Sequence, residues 1–464
     1  MSRILISQRQ FTFLLASLFV STSLINLPSF LIRIAGGDAV FSLIIPTIYT
    51  IGIVAFYVWL AKLYPDTNLF EISNIVFGRI LGGLFNILIL VHIWFVFIRD
   101  IRLYNFFIKV TLLPNTPTDI VMLLFFIVLM YFGVSSIEVA ARINELVYPV
   151  LFLSQLLLPI ILWNQFSVYR IDPFFIEPIT SVIANGLVGA SWYGDIVILG
   201  AFLHTLKSHK QLQAGSRFAI MLATFTILMV TELSILVFGT HIAAHQIYPS
   251  YSLALQMYLS DFLDRLEQPF FWISFPALVI STVITFIAMM LGIASFSKTR
   301  KYGGFSRPFG ILMLVTTLMA FRGSIDVYLF SNYGLPAYVL TTQPLIILAM
   351  IIAASIKQRR KKGQTSTTHA EPGGEICDSS VPKDDKKQRG KRRKWVWTQN
   401  RWMNFTHGLL ALAVFSVFVG YLTGMDQQMI ATWSAVLYGL CITLAVFTTF
   451  METKQATKES KPTQ

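Results

Sequence analysis

Long apolar runs alternate with short polar segments along almost the whole of this 464-residue chain. Four of the runs, 43–60, 121–134, 218–238 and 340–356, contain almost no charge. A helix needs about 20 such residues to cross the hydrocarbon core of a bilayer, where it satisfies its own backbone hydrogen bonds. The runs do not alternate with the period of two that a membrane β-barrel requires. The pattern therefore predicts an all-α integral membrane protein.

The apolar runs predict twelve membrane-spanning helices. Their approximate limits are 11–33, 41–61, 81–110, 118–135, 147–163, 180–205, 217–239, 270–296, 308–321, 338–356, 405–424 and 429–450. They divide the chain into a ten-span core (1–356), a basic and largely disordered linker (357–403), two additional spans (404–450) and a polar tail (451–464). The disorder of the linker is expected from its Thr, Ser, Gly, Pro and charged residues.

Composition and charge agree with this class. Hydrophobic residues make up 55% of the chain and charged residues 13%, about half of what a soluble domain carries. With the N-terminus in the cytoplasm, most loop Lys and Arg fall on the cytoplasmic side, as the positive-inside rule requires. The net charge of +13 therefore needs no nucleic acid partner. Both termini are expected in the cytoplasm, and the basic residues of 386–401 suggest a contact with anionic lipids.

Two spans contain residues that favour an interrupted helix. The residues are Ser21, Thr22, Ser23 and Pro28 in the first span, and Gly189, Ser191, Tyr193 and Asp195 in the sixth. Transporters bind solutes at such interruptions, because unwound backbone exposes N–H and C=O groups at the bilayer midplane. The two spans open successive blocks of five, as inverted repeats would. Gly also mediates packing between membrane helices, so binding and packing both remain open here.

Charged residues within spans are costly in lipid and are commonly functional. Asp195 is placed to meet the ammonium group of a zwitterion. Arg99 and Asp100 in the third span form either a structural ion pair or part of a gate. Arg142 and Glu145 precede the fifth span and are candidates for a cytoplasmic gate or a helix cap.

No catalytic motif stands out in the sequence. It has no phosphate-binding loop, nucleophile elbow or paired catalytic carboxylates. His241 and His245 are four residues apart but lack the carboxylate of a metal-binding pattern. We therefore predict no enzymatic activity, no cofactor and no metal site.

Several short motifs, taken in order, resemble a known family. They are the opening Ile6-Ser7-x-x-Gln10-Phe11, the pair Leu27-Pro28, the segment Ile137–Glu145 followed by Tyr148-Pro149, and Gly189–Asp195. From about residue 5 to 356 the chain resembles the B-subunit family of spore germinant receptors, also called spore germination permeases. These belong to the amino acid–polyamine–organocation transporter superfamily.

The resemblance implies a core of two inverted five-helix repeats with broken helices 1 and 6, in the inner membrane of the dormant spore. It implies A-type and C-type receptor subunits as partners and a nutrient such as an amino acid as ligand. The implied pocket residues are Ser21, Thr22, Ser23, Gly189, Ser191, Tyr193, Ser281, Thr282 and Thr285. The chain departs from the family at Ser21 and Ser23, where glycine is usual, and in its two extra C-terminal spans.

Three functions fit the sequence. The first is a nutrient-sensing receptor subunit that binds a small nutrient between helices 1, 6 and 8 and triggers germination. The second is a secondary active amino acid permease that moves its solute with a cation. The third is a scaffold that binds no ligand.

Overall fold

The computed structural model describes residues 6–170, 172–206, 208–257, 267–296, 302–367, 398–424 and 427–460. Within these residues the chain forms sixteen α-helices joined by turns, 3-10 segments and a π-helical turn at Phe330–Gly334. The helices are α1 Gln8–Ala35, α2 Ile44–Leu63, α3 Leu69–Phe77, α4 Arg79–Thr111, α5 Thr118–Val134, α6 Ile137–Ile161, α7 Ile179–Trp192, α8 His209–Phe238, α9 Thr240–His245, α10 Pro249–Leu255, α11 Glu267–Ala294, α12 Ser306–Ala320, α13 Ser324–Leu329, α14 Leu335–Thr367, α15 Gln399–Thr423 and α16 Gln428–Glu459.

Ten helical segments of the described residues are long and apolar enough to cross a membrane. One of them, Gln8–Leu63, contains both α1 and α2, and α5 is a shorter apolar helix beside the ten. Each of the twelve predicted spans therefore coincides with a helical segment. The prediction of an all-α membrane protein is confirmed.

The central helix of the core, α1, is not interrupted where the sequence predicted. It is a continuous α-helix from Gln8 to Ala35, and every residue from Leu14 to Ile32 is buried. The hydroxyl of Ser21 donates to the carbonyl of Ser17 at 2.6 Å, within the same helix. Hydroxyls that bond back to the preceding turn are compatible with helical backbone, which explains why this serine does not break α1.

Pro28 lies inside α1 because a neighbouring helix satisfies the carbonyl that it frees. Proline has no N–H, so the carbonyl of Leu24 loses its usual partner four residues later. The hydroxyl of Ser250 in α10 donates to that carbonyl at 2.9 Å. Membrane helices tolerate proline when a neighbouring side chain supplies the missing hydrogen bond in this way. The contact also fixes α10 against the middle of α1.

The sixth span, in contrast, changes type at the predicted position. The α-helix α7 ends at Trp192, and the backbone continues as a 3-10 helix from Tyr193 to Thr205. Long 3-10 stretches are uncommon and often mark a hinge. The side-chain amide of Gln343 donates to the carbonyl of Gly194 at 3.1 Å, just past the change. The predicted interruption of the first span is therefore absent from α1, whereas the sixth span changes helix type where it was predicted to.

The two C-terminal helices, α15 and α16, pack against each other, and α16 packs against α8. Arg217 of α8 and Glu452 of α16 are both buried and lie 3.6 Å apart. Thr457 of α16 donates to Gln8 at the start of α1 at 2.9 Å. Tyr438 of α16 donates to the carbonyl of Val40, just past the end of α1, at 3.0 Å. The pair therefore contacts the core near both ends of α1.

The helices also extend into segments predicted to be polar linker and tail. α14 continues to Thr367, and α16 continues to Glu459. Of the predicted lipid-contacting segment 386–401, all but the last four residues lie outside the described residues.

We predict that Ser250 stabilises the folded protein because it satisfies the carbonyl that Pro28 leaves without a partner. Ser250→Ala leaves the Leu24 carbonyl buried without a partner and should lower the free energy of unfolding by about 1–3 kcal/mol. In a Pro28→Ala background, residue 28 supplies the missing N–H, and the same substitution should cost much less. Urea unfolding in detergent, followed by circular dichroism, measures the four variants of this cycle.

The control for this cycle is Ser234→Ala, which removes a buried hydroxyl that bonds within its own helix, to Val230 at 2.7 Å. Its effect should not depend on residue 28. Equal losses for Ser250→Ala with proline and with alanine at position 28 would contradict this explanation of the continuity of α1.

We predict a large effect from breaking the buried ion pair between α8 and α16. Glu452→Ala leaves Arg217 buried and unpaired, which should destabilise the protein by about 3–5 kcal/mol. The double variant Arg217→Met, Glu452→Leu should recover most of that loss. Breaking the more exposed pair of Lys210 and Glu459, 3.0 Å apart, should cost at most about 1 kcal/mol. Urea unfolding measures both losses, and similar values for the two pairs would refute the prediction.

Candidate functional site

A cleft lies between α1, α6, α10, α11 and the end of α4, and its empty volume, including the part open to solvent, is about 510 Å³. Its lining residues are Ser21, Leu24, Ile25, Phe107, Leu151, Gln155, Tyr248, Ser250, Tyr251, Phe270, Phe271, Ser274, Ala277 and Leu278. Most are apolar or aromatic, and none of these described residues carries a formal charge. An apolar lining with a few polar groups is typical of sites that bind small molecules.

Aromatic rings surround Phe107 at one side of the cleft. Its ring centroid lies 4.9 Å from that of Tyr248, 5.7 Å from Tyr251 and 5.6 Å from Phe271. The faces of such rings attract ammonium groups through their electrostatic quadrupole. This side of the cleft can therefore bind a small cationic group without a carboxylate.

Gln155 supplies a polar atom to the otherwise apolar lining. It comes from α6 and is 1% exposed, and its Oε1 has no hydrogen-bond partner among the described residues. A buried acceptor without a partner costs free energy, which a bound N–H donor would recover. Across the cleft, the hydroxyl of Ser21 lies 3.2 Å from the carbonyl of Ala277, so α1 and α11 meet at its floor.

Two of the predicted pocket residues, Thr22 and Ser281, both contact Tyr104 beside this floor. The hydroxyl of Thr22 lies 2.5 Å from that of Tyr104, and the hydroxyl of Tyr104 lies 3.1 Å from that of Ser281. All three are buried and belong to α1, α4 and α11. This chain of hydroxyls joins the helices that surround the floor of the cleft.

One turn before Tyr104 on α4, Arg99 lies between two carboxylates. Its Nη2 is 2.7 Å from Asp100 and 2.7 Å from Asp195, and all three side chains are almost fully buried. The guanidinium also lies over the ring of Trp192, 4.6 Å from the centroid. Asp195 therefore bonds to Arg99 and does not line the cleft.

The remaining predicted residues of the sixth span face other helices. A side chain at Gly189 would meet the ring of Pro46 in α2 at 3.2 Å, so this glycine permits close packing. Ser191 donates to the carbonyl of Val188 in its own helix. Tyr193 is fully buried and donates to a threonine of α8 at 3.2 Å. The cleft thus involves the first, third, fifth and eighth spans, which are α1, α4, α6 and α11. The prediction named the first, sixth and eighth spans.

The other predicted residues of the first and eighth spans, α1 and α11, are also buried. Thr282 donates to the carbonyl of Leu278, and Thr285 donates to that of Ser281. Ser23 is 2% exposed and does not line the cleft. These contacts give Thr282 and Thr285 partners within α11.

Toward the N-terminus of α1, away from the cleft, side-chain contacts join α1 to α6. Glu145 of α6 forms an ion pair with Arg9 and accepts from the amide of Gln10 at 2.9 Å. Further into the bundle, Ser17 donates to Asn144 at 3.0 Å. We call this set of contacts between α1 and α6 the closed end. The cleft lies on the opposite side of these contacts, toward α10.

Arg142 does not belong to the closed end. It forms an i,i+4 pair with Glu138 at 2.5 Å, and its side chain is 70% exposed. The two candidates for a cytoplasmic gate or a helix cap therefore have different partners, Glu138 for Arg142 and Arg9 for Glu145. Both residues lie inside α6, which begins at Ile137, and neither caps that helix.

Sequence reasoning missed Gln155 and Asn144. Both lie on one face of α6, where Asn144, Tyr148, Leu151 and Gln155 follow at spacings of three or four residues and are all buried. That spacing places residues on one helix face. The pattern was present in the sequence as a polar stripe in an apolar span, a signal of interior position.

The described residues contain no group of three or more His, Cys, Asp and Glu side chains that could hold a metal ion. The ring centroids of His241 and His245 lie 5.0 Å apart, but Nδ1 of His245 contacts the carbonyl of His241. This contact takes up one of the ring nitrogens that a metal would need.

Comparison with known proteins gives matches along most of the chain. A family described as "Spore germination protein" matches residues 5–323. Spore germination protein KB of Bacillus subtilis is 22% identical over 372 residues, which cover 78% of this chain and 98% of that protein. The putative spore germination protein YfkT of the same organism is 26% identical over 212 residues, 44% of this chain and 56% of that protein.

Solved structures match the fold. Mhp1, a nucleobase-cation-symport-1 family transporter in a closed conformation with bromovinylhydantoin bound, has a TM-score of 0.54 at 13% identity. The match covers 96% of this chain and 92% of Mhp1. A manganese transporter of Eremococcus coleocola has a TM-score of 0.49 at 12% identity, covering 96% and 95% of the two chains. The Mhp1 match shows that this chain shares the fold of Mhp1.

We predict that the closed end controls access to the interior of the bundle. In a variant without native cysteines, Ser17→Cys should react slowly with a water-soluble thiol reagent, because residue 17 is buried. Adding Glu145→Ala removes the contacts with Arg9 and Gln10, which contribute about 1 kcal/mol, so labelling should become about fivefold faster.

The matched control is Glu138→Ala, which removes a more exposed carboxylate from the same helix. It should leave the labelling rate of the cysteine at position 17 unchanged. A rate that does not respond to Glu145→Ala would show that this end is held shut by other contacts.

Proposed function

Because the chain belongs to the spore germination protein family, we propose that it is the transporter-like, nutrient-sensing subunit of a spore germinant receptor. The observation that carries this proposal is the cleft between α1, α6 and α11, which lies inside a transporter fold and is closed at one end. The ligand we propose is a small amino acid with an apolar side chain.

The cleft suits such a ligand on chemical grounds. The rings of Phe107, Tyr248 and Phe271 favour an ammonium group, and Oε1 of Gln155 can accept one of its hydrogens. The serine hydroxyls of α1 and α11 in the lining are available to a carboxylate after they release their backbone partners. The Leu, Ile and Ala side chains of the lining favour an apolar side chain.

Binding would act through the equilibrium between two arrangements of the bundle. A ligand shifts such an equilibrium only by its difference in affinity for the two states. In the present arrangement the cleft lies toward α10, and Glu145 closes the opposite end. A ligand that contacts both Ser21 of α1 and Gln155 of α6 bridges the two helices that the closed end joins. It is therefore placed to change the stability of that closure.

We propose that A-type and C-type receptor subunits receive this change, and that the complex resides in the inner membrane of the spore with both termini of this chain in the cytoplasm. Family membership and the transporter fold support this assembly. Co-purification of tagged A-type and C-type subunits with this chain from spore membranes tests it. Recovery of the chain without either subunit would count against the receptor assignment.

The second candidate is a secondary active amino acid permease that couples its solute to a cation. The likeness to a transporter fold favours it. Saturable uptake of a labelled amino acid into vesicles that contain this chain alone would support the permease. Binding without uptake would support the receptor.

We predict that at least one amino acid stabilises the purified protein against heat. A ligand at 100 times its dissociation constant stabilises by about 2.7 kcal/mol, which is readily seen as a higher melting temperature. Gln155→Leu keeps the approximate size of the side chain but removes its hydrogen bonds. It should weaken binding of that amino acid about tenfold, equivalent to about 1.4 kcal/mol.

Ser154→Ala is the matched control, since Ser154 neighbours Gln155 but bonds to the carbonyl of Leu151 at 2.7 Å and does not line the cleft. It should bind like the unmodified protein. If a broad panel of amino acids and other nutrients leaves the melting temperature unchanged, the proposed ligand class is wrong.

A further inference from the structure

Two carboxylates share one guanidinium in the interior of the core. Asp100 of α4 and Asp195 of the 3-10 segment each lie 2.7 Å from Nη2 of Arg99. Nε of Arg99 makes a second bond to Asp100 at 2.8 Å, so Asp100 has two contacts with the guanidinium and Asp195 has one. We call these three residues the acid–arginine triad.

Each carboxylate also has an oxygen that is left over. Oδ1 of Asp195 and Oδ2 of Asp100 are buried without a hydrogen-bond partner among the described residues. An ionised carboxylate needs hydrogen bonds on both oxygens when it leaves water. A protonated carboxyl needs fewer hydrogen bonds, because burying the neutral form costs much less free energy. The orphaned oxygens therefore indicate where a proton would be held.

The net charge of the triad also indicates a bound proton. With both carboxylates ionised, the triad carries a net charge of −1 in the middle of a membrane protein, which is costly. The neighbouring helices offer no compensating charge: α1 has none from Gln10 to Ile32, α7 has none, and α11 has none from Gln268 to its end. Arg102, on the same helix as Arg99, donates instead to two backbone carbonyls at the end of α12.

The other titratable groups that face the triad are His92 and Tyr104, both on α4. Tyr104 is held by hydroxyls of α1 and α11. His92 is buried next to the carbonyl of Gly194, and its Nε2 has no partner among the described residues. A charged His92 would place a second cation close to Arg99.

Two further helices, α2 and α3, pack against the 3-10 segment and carry charged residues. Lys62 of α2 is exposed. Glu71 of α3 caps its own helix, where it accepts from the backbone N–H of Asn68 at 3.4 Å. The ion pairs described for the triad join its own three members.

We propose that the acid–arginine triad binds one exchangeable proton, held by Asp195, and that this proton is the ion to which solute binding is coupled. The proton adds to a carboxylate oxygen, and no other bond forms or breaks. Asp195 is assigned as the carrier because it has the single bond to Arg99, while Asp100 has two. A proton is favoured over a metal cation because Arg99 already contacts both carboxylates, and neither carboxylate lines the cleft.

The triad is connected to the cleft by neighbouring residues on two helices. Asp100 lies one turn before Tyr104 on α4, and Tyr104 contacts Thr22 on α1. Thr22 is the residue next to Ser21, which lines the cleft. The hydroxyl of Thr22 also interacts with the carboxylate of Asp100, so the chain of hydroxyls leads from the floor of the cleft to the triad.

The position of Asp195 also allows it to move. It lies in the 3-10 segment, whose change of helix type makes it a candidate hinge. A movement of this segment would separate Asp195 from Arg99. The coupling to solute rests on the function proposed above, whereas the bound proton does not.

Infrared spectroscopy of the full-length protein tests the bound proton directly. Protein labelled with ¹³C at the side-chain carboxyl of aspartate is purified in detergent without added solute. At neutral pH we expect an isotope-shifted band of one protonated aspartate per chain. The band should disappear in Asp195→Asn, because Asp100 is then the one carboxylate of the triad and stays ionised beside Arg99. It should remain in the control Asp119→Asn, which removes an aspartate from the start of α5. Absence of the band from the unmodified protein would overturn the proposal without reference to any variant.

A band that persists in Asp195→Asn would show that another aspartate holds the proton and would also overturn the assignment. The coupling is tested separately, by the protons taken up or released when the stabilising amino acid is added in weak buffer. We expect a change in the unmodified protein and none in Asp195→Asn; a change of equal size in both would overturn the coupling. If no amino acid binds but the band is present, the proposed function fails while the proton site stands.

Discussion

The structure depends on one constraint: in the interior of a membrane protein, each polar group must find its partner within the protein. Pro28 frees the carbonyl of Leu24, and α10 places Ser250 against it. Arg217 would be an unpaired charge on α8 without Glu452 of α16. Water is scarce in this environment, so a polar atom that remains without a partner is costly. Such atoms are therefore candidate contact points for a bound group, and Gln155 and Asp195 each have one.

The candidate site and the chain of hydroxyls beside the acid–arginine triad meet at consecutive positions of α1. Ser21 is at the floor of the cleft, and Thr22 belongs to the chain of hydroxyls that leads toward the triad. Gln155 has an unpaired oxygen at the cleft, and Asp195 has one at the triad. These two unpaired groups, in a bundle closed at one end by Glu145, are the physical basis of the coupled binding that we propose.

The sequence was sufficient for the fold, because apolar runs of membrane length are a local property. The helical spans, and the change of helix type at Tyr193, were predicted from it. The continuity of α1 was not, because it depends on Ser250, which is 226 residues from the carbonyl it satisfies. The role of Gly189 was open for a similar reason: spacing alone cannot show that Pro46 of α2 lies against it. Gln155 was missed because its importance depends on which helix faces α1, and that is a property of the tertiary structure.

The central claim is that a small amino acid binds between α1, α6 and α11. Photocrosslinking with a diazirine analogue of the stabilising amino acid, followed by mass spectrometry of the labelled peptides, tests it most directly. We expect adducts on peptides that contain Ser21, Gln155 or Ala277, and their loss when the unmodified amino acid is in excess. Adducts confined to the lipid-facing helices, or insensitive to competition, would contradict it.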